Sequence, residues 1–148
     1  MSKDGIDQTG FVSVTDDCPC GSGEEFALCC RPLHAGQRMA ATAEELMRSR
    51  YSAYAVGDTD YVWRTWHPRT RPEALSPSGE TWTGLEILDT VAGQPGDEAG
   101  EVEFRAHYTR NRRSGDGARE EQKGFLHERS HFAVRARRWL YVDGELFG

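Results

Sequence analysis

Four cysteines lie in one short stretch, Cys18-Pro19-Cys20-Gly21-Ser22-Gly23-Glu24-Glu25-Phe26-Ala27-Leu28-Cys29-Cys30, and the remainder of the 148-residue chain has none. Four thiolates complete a closed tetrahedral structural zinc site. The residues between them suit that chemistry. Pro19 fixes its own φ and helps aim Cys18 and Cys20 from a tight loop. Gly21 and Gly23 permit the positive φ that lets backbone turn closely around a metal. Ser22 is expected to cap a short helical turn over 24–28 that delivers Cys29 and Cys30. Disulfides fit poorly: one residue separates the first two cysteines and the last two are adjacent, while a cross-paired knot needs an oxidising compartment. The common ferredoxin spacings do not match. The expectation is one structural zinc ion per chain, held by Cys18, Cys20, Cys29 and Cys30. His34 is a reserve ligand if Cys30 faces away, and otherwise a surface histidine. A thiol sensor that releases zinc on oxidation would use the same residues and is a weaker alternative.

A second set of residues bears on acid–base chemistry. Glu128 alternates in phase with Leu126, Ser130 and Phe132, which turns it towards a core. Tyr54, His67, His107 and Ser130 are the groups that would join it in a pocket. Against catalysis stands Arg50, set among Leu46, Met47 and Tyr54 on an apolar helix face. Buried charges are normally paired, so an internal Arg50–Glu128 pair is the favoured reading. His107 points opposite to Phe104 and reads as exposed.

Bulk properties narrow the class. The chain is 37% hydrophobic and 28% charged, with a formal net charge of -6, ordinary values for a soluble globular protein. Nucleic-acid binders carry a basic patch; the longest basic clusters here, Arg110 to Arg113 and Arg135 to Arg138, are short and sit at expected hairpin tips. Nucleic acid is therefore disfavoured as a partner. Residues 1–17 read as a flexible N-terminus without the apolar run of a signal peptide. No stretch approaches the ~18 apolar residues of a membrane span. A cytoplasmic protein with reduced thiols is expected, consistent with metal-binding cysteines.

The elements that position these residues follow in order. Residues 31–41 read as a linker. Thr42-Ala43-Glu44-Glu45 is a capping box, opening a helix with Leu46, Met47, Tyr51 and Tyr54 on one face and Gly57 as its stop. Asp58 caps a second helix bearing Tyr61, Val62, Trp63 and Trp66, ended by Pro68. A Pro-rich loop to Ser78 precedes strands over 85–91, 101–110, 124–134 and 138–142, with a polar hairpin loop over 111–119 and an end at Asp143-Gly144. Helices followed by an antiparallel sheet make an α+β fold.

The Cys-x-Cys-x8-Cys-Cys pattern with Gly-Ser-Gly after the second cysteine resembles the SEC-C zinc motif. That motif is named from the C-terminal tail of the preprotein translocase ATPase, where it binds zinc and contacts a chaperone and the ribosome. The likeness implies a protein partner for the knuckle. This copy has Cys30 where the tail has histidine, and Glu24 and Glu25 where the tail has lysines. The whole chain resembles the YchJ family of bacterial proteins. The resemblance rests on Leu46-Met47-Arg48-Ser49-Arg50-Tyr51, Asp60-Tyr61, Thr65-Trp66-His67-Pro68, Trp82-x-Gly84-Leu85, Glu128-Arg129-Ser130 and Trp139-x-Tyr141-x-Asp143-Gly144. It implies a knuckle over 18–36 and a nuclear transport factor 2-like domain over 37–148, a cone of curved sheet wrapped on helices. The expected function is a zinc-stabilised module that binds a protein or ligand, with the sheet offering a homodimer face. The alternative is an isomerase- or dehydratase-like enzyme using Glu128 as acid or base. Because the larger domain can bury a core of its own, loss of metal is expected to unfold the knuckle alone.

Overall fold

A computed structural model describes residues 16–76, 79–113 and 115–147; the N-terminus up to residue 15 lies outside them. A single helical turn at Phe26–Leu28 precedes three helices, α1 (Arg31–His34), α2 (Ala43–Val56) and α3 (Thr59–Arg64). Four strands follow, β1 (Thr81–Ala92), β2 (Ala99–Arg113), β3 (Arg119–Arg135) and β4 (Arg138–Phe147). The α+β expectation holds.

Local chemistry sets the helix ends as the sequence implies, except that α3 stops at Arg64, before the expected Pro68, and leaves Trp66 in a bridge to Tyr141 of β4. The Thr42 hydroxyl accepts from the Glu45 N–H at 3.0 Å, and Glu45 Oε1 reaches back to the Ala41 N–H at 2.7 Å. Gly57 ends α2 with φ +82°, a left-handed conformation costly for residues with a Cβ. Asp58 then caps α3 by accepting from the Tyr61 N–H at 3.0 Å. Where a linker was expected, Arg31–His34 form the short α1, started by Pro32 in its first turn.

The strands form an antiparallel meander in the order β1-β2-β3-β4. Its inner face carries Val102, Phe104 and Ala106 from β2 opposite Ser130, Glu128 and Leu126 from β3. Register shifts at Trp82/Gly84, Ile87/Asp89 and His131/Phe132 interrupt the ladder; such bulges bend and twist a sheet, here around α2. The strands outrun the sequence expectation. The β2–β3 ladder continues to Arg113↔Arg119, entering from both ends the stretch read as a polar loop. Backbone pairing satisfies N–H and C=O groups whatever the side chains are. Strand β4 likewise passes Gly144, expected as its end, to Phe147, because β3 offers a partner there.

Cys18, Cys20, Phe26 and Cys30 belong to one buried core with Leu46, Met47, Tyr51, Val102, Phe104, Phe132 and Trp139. Burying one large apolar side chain contributes about 1.5–3 kcal/mol, so these contacts bind the knuckle firmly to the sheet domain. That sharing argues against a knuckle able to unfold alone. A second cluster joins Leu33, Ala53, Tyr61 and Val62 on the other side of α2. The end of α3 is stitched to β4 by backbone bonds from Tyr141 N–H to Thr65 O (2.9 Å) and from His67 N–H to Tyr141 O (2.7 Å).

Candidate functional site

The cysteine loop is built by backbone bonds. Cys18 N–H donates to Glu24 O at 2.7 Å and Gly21 N–H to Cys18 O at 3.1 Å, which folds the first pair back on itself. The Phe26–Leu28 turn presents Cys29, and Cys30 opens α1. All four Sγ atoms lie within 4.8 Å of one another. Cys18, Cys20 and Cys30 are buried and Cys29 is half-buried. Soft donors converging in a shielded site are compatible with binding a metal ion.

Groups around the sulfurs reinforce the site. The Ser52 hydroxyl, from α2, donates to Cys30 Sγ at 3.3 Å and lies 3.4 Å from Cys18 Sγ. Ser22 does not cap the helical turn as expected; its hydroxyl sits 3.1 Å from Cys29 Sγ and accepts from the Glu24 N–H. Arg48 Nη1 donates to Cys20 O at 2.6 Å and Arg38 Nη2 to Cys29 O at 3.0 Å. Hydrogen bonds from Cys18 and Cys30 lower the Cys20 thiol far below the ordinary thiol value. Burial pushes Cys29 up to about 11. Because Cys30 faces the cluster, no ligand role remains for His34. Nor is it a surface residue: its Nε2 donates to Ser49 O at 2.8 Å, its ring packs 4.6 Å from Tyr61, and burial lowers its basicity.

Between α2 and the inner face of the sheet lies a cavity of about 290 Å³. Arg50, Tyr54, Glu128 and Ser130 all line it, together with Trp66, Trp82 and Tyr141. His67 does not. Its backbone binds β4 and its Nδ1 accepts from the Arg69 N–H, which holds it in the loop after α3. The expected Arg50–Glu128 ion pair is not formed. Arg50 Nη1 donates instead to Val62 O and to Thr65 Oγ1, each at 2.8 Å. Its guanidinium lies over Trp66 at 5.2 Å and Tyr141 at 4.6 Å. Glu128 Oε2 accepts from Ser130 Oγ at 2.6 Å and from Tyr141 OH at 3.0 Å. Burial lowers the pKa of Arg50 and raises that of Tyr141. A Cβ on Gly144 would collide with the Glu128 carboxylate, so glycine on β4 makes room for that side chain.

The outer sheet face has a separate polar network. His107 is half-buried there, opposite to Phe104 as expected, and paired with Glu86 at 2.8 Å rather than simply exposed. Arg129 joins Asp89, Glu101 and Glu103 at 2.6–2.9 Å.

Sequence reading missed Ser52, Trp66, Trp82 and Tyr141. Serines at 49 and 52, three apart on one helix face, were a usable sign for the first. Trp66 read as plain core, and Trp82 and Tyr141 entered only as family signatures, since nothing local separates a cavity wall from a packed interior.

A four-cysteine knuckle seated on the helix of a curved antiparallel sheet defines a SEC-C protein with a nuclear transport factor 2-like domain. Residues 15–32 match the SEC-C motif. Residues 42–144 match the family described as YchJ, middle NTF2-like domain, and the chain belongs to that family. It is 48% identical to a UPF0225 protein of Streptomyces coelicolor, over 88% of this chain and 96% of that one. A UPF0225 protein of Deinococcus radiodurans is 46% identical, over 85% and 86%. The fold is similar to the solution structure of a SEC-C motif containing protein from Rhodopseudomonas palustris, with TM-score 0.67, 35% identity, and coverage of 88% and 98%. It is also similar to a crystal structure of such a protein from Psychrobacter arcticus, with TM-score 0.64, 26% identity, and coverage of 88% and 82%. Among the described residues no helix is long and apolar enough to cross a membrane.

Proposed function

We propose that this chain is a binding module whose knuckle is fastened by one structural zinc ion and whose cavity receives a small molecule. The convergence of four sulfurs carries the metal reading. A tetrahedral ion with Zn–S bonds of about 2.3 Å places its sulfurs about 3.8 Å apart. The Cys20–Cys29 and Cys29–Cys30 sulfur separations are 3.6 and 3.9 Å. Four protein ligands leave no open position for a water nucleophile, so the zinc holds structure and does no chemistry. Metal analysis of protein purified under reducing conditions tests this, with one zinc per chain expected. Stoichiometric iron, or four free thiols with little zinc, would overturn it.

The cavity reading rests on its mixture of aromatic walls with a few polar groups, the usual make-up of small-molecule sites. Arg50 is held there by carbonyl, hydroxyl and ring contacts without an ion-pair partner among the described residues. Indole and similar aromatic fragments should bind at the cavity, shifting the side-chain resonances of Trp66 and Trp82. Shifts confined to other parts of the molecule would reject the site.

A further inference from the structure

The cavity lining narrows the chemistry of the ligand. Arg50 is 5% exposed and engages protein acceptors through Nη1 alone. A guanidinium has five N–H donors, and those on Nε and Nη2 meet no acceptor among the described residues. Trp66 and Tyr141 cover it and fix its orientation. A buried cation with no anion in contact is costly. Glu128 is its complement: Oε2 accepts two hydrogen bonds and Oε1 accepts none. Tyr141 stands between the two charges, its ring against Arg50 and its hydroxyl on Glu128.

We propose that the cavity binds a small zwitterion, an amino-carboxylate with an apolar or aromatic side chain; this rests on the small-molecule reading above. The carboxylate meets the free donors of Arg50, the ammonium meets Glu128 Oε1, and the side chain lies among Trp82, Phe104, Leu126 and Phe132. Charge matching favours this class. The opposite charges of Arg50 and Glu128 cancel, so a net-neutral ligand brings no net charge into a shielded site. A lone carboxylate would face Glu128, and a lone amine would face Arg50. A purely apolar molecule would leave both charges without partners, and buried polar groups left unmatched discriminate strongly between ligands.

Four matched probes test the idea on the intact, metal-loaded protein: L-phenylalanine, 3-phenylpropanoate, 2-phenylethylamine and 2-phenylethanol. The readout is the indole N–H resonances. Trp66 and Trp82 have buried Nε1 atoms without partners, whereas Trp63 donates to Pro72 O and Trp139 to Ala41 O and serve as controls. Phenylalanine should bind at least tenfold more tightly than each other probe and shift Trp66 and Trp82 selectively. Arg50→Gln should remove its advantage over the amine, and Glu128→Gln its advantage over the acid. Should either variant fail to fold, the ranking on the unaltered protein decides alone. If the acid, amine or alcohol shifts the same indoles and binds as tightly as phenylalanine, the zwitterion inference falls and the cavity reading stands. If no probe shifts Trp66 or Trp82, both fall.

Discussion

The Ser52 hydroxyl donates to Cys30 Sγ at 3.3 Å from the middle of α2, so the helix that walls the cavity also touches the cysteine cluster. Partners outside the ligand shell orient ligands and tune affinity. Ser52→Ala should keep the fold, because alanine favours helix, and should weaken zinc binding by about 10- to 100-fold. Competition with a chromophoric chelator measures this; an unchanged affinity would make Ser52 a mere space-filler.

Metal removal should be felt well beyond the knuckle. Cys18, Cys20, Phe26 and Cys30 share a core with Met47, Tyr51 and Phe104. Chelation, or Cys20→Ser, should therefore lower the melting temperature of the whole domain and speed amide exchange in α2. A sheet-domain transition left in place after zinc loss would restore the picture of two separable units.

Arg50 should couple more strongly to Thr65 than to Glu128. The first pair shares a hydrogen bond of 2.8 Å, and no direct bond joins the second. In double-mutant cycles by urea unfolding, Arg50→Met with Thr65→Val should show a coupling of at least ~0.5 kcal/mol. Arg50→Met with Glu128→Leu should show a smaller coupling, since that pair interacts only through space. The reverse order would reinstate the ion pair expected from sequence.

Zinc uptake should release protons. Burial pushes the Cys29 thiol up to about 11 and bonds with Cys18 and Cys20 raise Cys30 further, while Cys20 is lowered. At neutral pH the metal-free site thus holds protons on Cys29 and Cys30 that the ion must displace. Affinity accordingly rises with pH and falls away on acidification. Calorimetry in buffers of differing ionisation enthalpy gives the count; fewer than about one proton would mean that metal does not bind as thiolates.

The convergence of the cysteines was legible because four of them in thirteen residues form a local pattern that needs no tertiary knowledge. Helix ends were legible for the same reason: Thr42, Gly57 and Asp58 each act on their own backbone. The alternation around Glu128 correctly turned it inward, yet its partners could not be read. Tyr141 meets it only through strand register and Arg50 is diverted by Val62 O and Thr65. His67 was misassigned because its place depends on backbone bonds to β4. Strand lengths were underestimated wherever glycine or charge masked pairing that the neighbouring strand dictates.

The order in which the ribosome releases the chain gives the α3–β4 stitch a temporal meaning. The cysteines and α2 emerge within the first 56 residues, so the knuckle and its helix can meet early through short-range contacts. Tyr141, whose backbone closes on Thr65 and His67, is made long after them. At about 5–20 residues per second, the interval between Thr65 and Tyr141 spans several seconds. For that interval Arg50 has its carbonyl and hydroxyl acceptors available but lacks the tyrosine ring that later covers it. The cavity is complete only once β4 pairs with β3 and brings Tyr141 over Arg50.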